Sequence, residues 1–198
     1  MHEVSRQLIH LSGALFILLA QLMHPLAASL LFFLIALTFL LYSLHLRHER
    51  NRFARFLATV EQQVRRVVTH VERPGVPLQG AFWFYAACGL AFLLFPVPVA
   101  TTATLILAVS DSLSTLVGIR LGRHRLVGDK TVEGTAAFFV SAAAVAFIFF
   151  PATFLLPAVA ATAAELLPGL PACRTWRQRG ILDDNLLIPL FAGAVLLL

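Results

Sequence analysis

The single lysine of the chain, Lys130, falls in the loop GDKTVEGT (128–135), between Asp129, Thr131 and Glu133. Glycine, lysine, threonine and glutamate in one short loop are residue types that hold a phosphate chain and its metal. Backbone N–H groups and an ammonium meet phosphate oxygens, and a carboxylate meets a cation. The stretch is not a Walker A loop, since G-x-x-x-x-G-K-[ST] occurs nowhere in the chain. Thr131 or the loop can cap the helix that follows, and the N–H groups of that helix start, near Gly134, favour anions.

Upstream, Asp111 lies inside an apolar run, roughly 13 Å below Arg120 at about 1.5 Å per helical residue. An ionisable side chain at membrane depth is costly and by default suggests function. Ser110, Ser112, Ser114, Gly118 and Gly122 surround or follow it. Small residues let helices approach closely, which accounts for the serines and glycines but not for the carboxylate. Downstream, Glu165 ends one apolar run, and Asp183-Asp184-Asn185 directly precede the last. Paired carboxylates there complement a helix dipole, or serve a metal or a basic partner. At the N-terminus, Glu3, Arg6 and His10 are spaced to share one helix face that continues to Gly13.

The elements that must position these groups are apolar. Of 198 residues, 59% are hydrophobic and 13% charged, and the mean hydropathy is +0.85. A soluble domain of this size cannot hide so much apolar side chain, so the chain reads as a polytopic, all-α membrane protein forming one domain. Apolar runs cover roughly 8–23, 25–46, 80–95, 98–119, 134–150, 152–167 and 185–198, which predicts about seven membrane helices. The first run lacks a signal peptide's basic start and cleavage site, so it reads as a retained span. Pro25, Pro96, Pro98 and Pro151 mark joints between runs, where proline ends a helix for want of an N–H. Residues 47–73 place apolar side chains three and four apart among Arg, Glu and Gln, which predicts an amphipathic helix on the inner leaflet.

All basic residues fall before the first run or on alternate joints, 47–73, 120–130 and 174–179. By the positive-inside rule those joints face the cytoplasm, at the inner membrane of a cell. The net charge of +5 and pI of about 10.2 express this asymmetry and are not a nucleic-acid signal. The loops 120–133 and 168–184 then bring cations and carboxylates to one leaflet. That arrangement suits chemistry on a lipid head group with a phosphorylated, water-soluble co-substrate.

Taken together these residues resemble the polyprenol kinase family: dolichol kinase, phytol kinase and CTP-dependent diacylglycerol kinase. The resemblance touches four places along nearly the whole chain. EVSRQLIHLSG (3–13) is similar to the family's E-x-x-R-K-x-x-H-x-x-G, and ERPG with Gly80 matches the approach to the next span. SDSLSTLVGIRLG (110–122) and KTVEGTAAF (130–138) resemble G-D-x-x-A-x-x-x-G-x-x-x-G and K-T-x-E-G-T-x-A. DDNLLIPL (183–190) matches D-D-N-x-x-x-P. Ser110, Ser114 and Gln7 replace the family's Gly, Ala and Lys; the last removes a cation from the first stripe.

The resemblance implies transfer of the γ-phosphoryl group of CTP, with Mg²⁺, to the hydroxyl of a lipid alcohol such as phytol, geranylgeraniol, a polyprenol or diacylglycerol. The roles expected are Asp111 and Glu133 on Mg²⁺, with Asp183 as a further metal candidate. Lys130, Thr131, Gly134, Asn185 and Arg73 are expected on the nucleotide phosphates, and Asp184 as base or second metal ligand. Glu3, Arg6, His10, Asp129 and Glu165 are second choices, and a homo-oligomer is compatible with all of this. A lipid cytidylyltransferase is the alternative enzyme. A transporter of isoprenoid phosphates is the alternative outside enzymes.

Overall fold

A computed structural model describes residues 11, 13–47, 78–173, 175–176 and 183–198. Glu3, Arg6, His10 and Arg73 lie outside the described residues. So does the amphipathic helix expected over 47–73, apart from its first residue.

The described chain is mostly helical. Residues 13–20 form a helical turn sequence ahead of α1 (Pro25–Arg47). Next come α2 (Gln79–Leu94) and α3 (Val97–Leu105), then a π turn (Ile106–Asp111) that runs without a break into α4 (Ser112–Leu121). A two-stranded antiparallel hairpin, β1 (Arg125–Val127) and β2 (Lys130–Thr131), leads into α5 (Val132–Phe149). The chain ends in α6 (Leu155–Leu166) and α7 (Asp184–Leu196). Proline sets the starts of α1 and α3, as the sequence predicts, because its fixed φ suits the first helical turn.

Three helices are long and apolar enough to cross a membrane: Pro25–Leu44, the continuous Val97–Leu121, and Val132–Phe149. Gln79–Leu94, Leu155–Gly169 and Asp184–Leu196 are apolar but shorter. Of the about seven membrane helices expected from the sequence, three among the described residues have the length and composition to cross. The apolar runs from 25 onward were found where the sequence places them and at closely similar lengths. The loop expected over 120–133 is also more ordered than a plain connector, since it closes into the hairpin.

Val97–Leu121 is the central element. Its middle, from Val99 to Ser112, is buried on almost every side, with Ala100, Ala103, Ile106, Leu107 and Ala108 at 0–1% exposure. A helix that is apolar all round belongs in a core, with its neighbours taking the outer faces. Two of its buried threonines fit this rule, while the Thr101 hydroxyl is buried with no hydrogen-bond partner among the described residues. Thr102 and Thr104 donate to the carbonyls of Pro98 and Ala100 at 2.8 and 2.7 Å, so their hydroxyls are satisfied within the helix. Helices α2, α5, α6 and α7 pack around this core, and α1 lies outside, against α2.

The α1–α2 seam is aromatic: Phe32 meets Phe92 at a ring separation of 5.6 Å and Phe39 meets Tyr85 at 5.5 Å. Ser29 donates to the Gly89 carbonyl across the same seam at 2.8 Å. The opposite face of α1 presents Leu26, Leu30, Leu34, Leu37 and Leu41, all exposed and spaced as one helical stripe. An exposed leucine stripe of this length suits acyl chains and not water.

Two features place the functional end. The π turn inserts an extra residue per turn, which shifts the face that the following side chains present. Ser110, Asp111, Ser112 and Ser114 all become buried. Below them α4 crosses α5 through glycines. A Cβ on Gly134 would lie 2.9 Å from the Ser114 carbonyl oxygen and 3.3 Å from the Gly118 Cα. Only glycine permits that approach, and the approach carries β2 and Lys130 up against the π turn.

Candidate active site

Thr131 ends β2 with extended backbone and caps α5, accepting a hydrogen bond from the Gly134 N–H at 3.1 Å. The cap satisfies one of the free N–H groups at the helix start. It also fixes the residue before it, Lys130, at one end of the bundle.

Around the Lys130 ammonium the structure gathers carboxylates from three separate elements. Nζ lies 3.0 Å from Glu165 Oε1, 3.1 Å from Asp184 Oδ2 and 4.0 Å from Asp111 Oδ1. Glu165 is wholly buried, and its Oε1 also accepts from Ser114 Oγ at 2.8 Å. The Lys130 and Asp184 side chains are 25% and 30% exposed, so the cluster is open on one side only. Burial alone would push the Lys130 ammonium down. Asp184, Asp111 and Glu165 outweigh it and hold the group above the usual lysine range.

Asp183 caps α7. Its Oδ1 accepts from the Asn185 backbone N–H at 3.0 Å and from Asn185 Nδ2 at 2.9 Å. Burial, and then the neighbouring Asp184 charge, push the Asp183 carboxyl up to about 7, against the pull of the Asn185 hydrogen bonds. Two buried acceptors in this region, Glu165 Oε2 and Asn185 Oδ1, have no hydrogen-bond partner among the described residues. So many carboxylates around one ammonium leave the site with excess negative charge and unused acceptors. That is a setting for a further cation or for donors carried by a ligand.

Of the residues expected to act together, the structure brings Asp111, Lys130 and Asp184 into one cluster, with Asp183 and Asn185 at its edge. Thr131 and Gly134 support it through the cap. Glu133, expected beside Asp111 on a metal, turns elsewhere. Its Oε1 is 2.7 Å from His124 Nδ1, and its Oε2 accepts from the His124 N–H at 3.3 Å. No ion pair joins Glu133 to Lys130 among the described residues. The reason is the cap: Thr131 starts the helix, and a residue two places on leaves on a different face from one placed before it. Asp129 lies in the hairpin turn, where its carbonyl accepts from Arg125 at 3.2 Å.

Glu165, a second choice by sequence, is the most buried member of the cluster. The signal available for it was the one used for Asp111, an acid inside an otherwise apolar run. Ser114 carried no such signal beyond its place in the row of small residues 110, 114, 118 and 122.

Over 141 residues the chain is 30% identical to the uncharacterized protein RP860 of Rickettsia prowazekii, covering 71% of this chain and 67% of that one. The chain belongs to the same family as that protein. No family model and no solved structure matches the chain.

For Mg²⁺ the donor chemistry fits in one particular way. Among the described residues no three His, Cys, Asp or Glu side chains converge as a ready metal cage. Magnesium is commonly held otherwise, by one or two carboxylates together with the phosphates of a substrate. Asp111 and Asp184, with the unused acceptor of Asn185 nearby in sequence, provide that kind of partial site.

Proposed function

We propose that this protein is a lipid-alcohol kinase that transfers the terminal phosphoryl group of a nucleoside triphosphate to a hydroxyl at the membrane surface. The observation that carries the reading is the Lys130 ammonium set among Asp111, Glu165 and Asp184 at one end of an apolar bundle. Phosphoryl transfer asks the protein mainly for positioning and charge neutralisation. The ammonium provides a fixed positive charge for phosphate oxygens. Asp111 and Asp184 would hold Mg²⁺ jointly with the nucleotide, and the ion would neutralise charge on the transferring group.

In the reaction the acceptor O–H gives up its proton and its oxygen bonds to the γ-phosphorus. The bond to the bridging oxygen breaks, and a nucleoside diphosphate leaves. Where Mg²⁺ is held by Asp111 and the nucleotide alone, Asp184, part-exposed beside Lys130, would instead serve as the base that takes this proton. CTP as donor, and an isoprenoid alcohol or diacylglycerol as acceptor, come from the resemblance to the polyprenol kinase family. The acceptor's tail stays among lipids against the apolar helices while its head reaches the cluster. The distribution of Arg and Lys supports placing that cluster on the cytoplasmic face of the inner membrane.

The test uses full-length protein in lipid with Mg²⁺, γ-labelled CTP or ATP, and a panel of lipid alcohols. Labelled lipid phosphate, absent in Asp111→Asn and Lys130→Ala, is the expected result. Pyrophosphate released with phosphatidate or a prenyl phosphate, and no labelled lipid, would replace the kinase with a cytidylyltransferase.

A further inference from the structure

We infer that Glu165 is a positioning residue: anchored by Ser114, it fixes the Lys130 ammonium so that a remaining N–H of the amine meets a phosphoryl oxygen. The identity of that anion rests on the kinase reading above; the anchoring rests on the geometry.

Glu165 Oε1 accepts two donors at once, Ser114 Oγ at 2.8 Å and Lys130 Nζ at 3.0 Å, and the residue has no exposed surface. Two donors from separate elements hold this one buried oxygen, so its position is strongly determined, while Oε2 has no partner among the described residues. Its anchor is equally fixed. The Ser114 carbonyl lies against Gly134 at the start of α5, four residues after Lys130 itself. One helix crossing therefore sets both the anchor and the amine.

A lysine side chain has large rotamer freedom. Its ammonium has three donors. Here two are committed, to Glu165 and Asp184, before any ligand arrives. The side chain remains 25% exposed, which leaves the ammonium reachable from the open side. Orientation established before binding is the part of a catalytic barrier that rigid geometry removes. Asp184 is half of the same grip but stands at the exposed side, where ligand and solvent reach it. Glu165 is the half that stays in place.

Lys130 is the only lysine, so an amine-reactive reagent reads it directly, with the N-terminal amine resolved by peptide mass spectrometry. The experiment compares wild type, Glu165→Gln and Ser114→Ala as full-length protein in lipid. At a fixed pH of about 9, Lys130 should label on the order of tenfold faster in Glu165→Gln, because one carboxylate that holds the proton on the amine is gone. CTP with Mg²⁺ should slow labelling in the wild type. In turnover, Glu165→Gln should lower kcat on the order of 10²-fold while the KM for the lipid alcohol stays unchanged. Glu165→Gln combined with Ser114→Ala should be no slower than Glu165→Gln alone, since the serine acts through the glutamate.

A general structural role would make the two losses add, and a glutamate with no hold on the amine would leave the labelling rate where it was; either result overturns the anchoring. If Glu165→Gln does not fold, Ser114→Ala carries the same expectation in smaller degree, and an unchanged labelling rate there overturns it too. Absence of phosphoryl transfer in the wild type with every donor and alcohol overturns the kinase reading and the phosphate half of this inference. The labelling result then decides the anchoring by itself.

Discussion

Glu165 and Lys130 stand 35 residues apart in the chain and 3.0 Å apart in the fold. Between them lie the whole of α5 and most of α6, so their meeting depends on how those helices pack on the central one. The pair divides the site into a buried anchor and a reachable ammonium, and the consequences can be tested side by side.

Lys130→Ala should abolish transfer, by at least the 10²- to 10³-fold typical of a lost charge-stabilising group. Lys130→Arg should not restore it. A planar guanidinium cannot take the place of a compact ammonium between two carboxylates at 3.0 and 3.1 Å. Recovery of more than a tenth of the activity with arginine would argue that only charge matters here.

Asp183 predicts a pH effect of definite sign. Its carboxyl is pushed up to about 7 in the fold, above the usual carboxylate value of about 4. The folded state therefore holds a proton that the unfolded chain has already lost between those values. Stability should fall as pH rises from about 4 to 7 and level off above that. Apparent Tm in lipid, compared with Asp183→Asn, should show the fall in the wild type and a flatter profile in the variant. Asparagine keeps a capping oxygen, so the variant should still form α7.

The α4–α5 crossing predicts an unequal pair of glycine substitutions. In Gly134→Ala the new Cβ meets the Ser114 carbonyl oxygen at 2.9 Å and Thr131 Oγ1 at 3.0 Å. In Gly118→Ala it meets Thr131 Oγ1 at 3.2 Å and the Gly134 Cα only at 3.8 Å. Gly134→Ala should cost about 1–3 kcal/mol through forced backbone shifts, and Gly118→Ala less. Thermal unfolding of both checks the order, and a reversed order would count against this crossing.

Thr131→Ala removes the cap of α5 and should cost about 1 kcal/mol, while Thr131→Ser should retain most of it. Because the cap sets Lys130, the alanine variant should also lose transfer activity beyond what its stability explains. Equal activity in the two variants would separate the cap from the site.

Magnesium and nucleotide should bind together. With no ready cage among the described residues, Mg²⁺ alone should shift the apparent Tm little, and CTP alone little as well. The two together should raise it, and chelation should return it to the unliganded value. A full shift from Mg²⁺ alone would point to a protein-only metal site.

The apolar runs, their proline joints, the cap at Thr131 and the candidacy of Asp111, Lys130 and Asp184 are all legible in the amino-acid sequence. Each depends on local chemistry: helix length, the missing N–H of proline, a hydroxyl two places before a carboxylate, a charge inside an apolar run. The tertiary structure decided what local chemistry does not encode. It turned Glu133 toward His124 and folded 125–131 into a hairpin. It also placed a π turn under Asp111 and gave Lys130 its buried partner in Glu165. Those outcomes rest on which helix faces meet, and here that was fixed by the close approach of Gly134 to Ser114 and Gly118, a contact between segments whose residue types alone do not name each other.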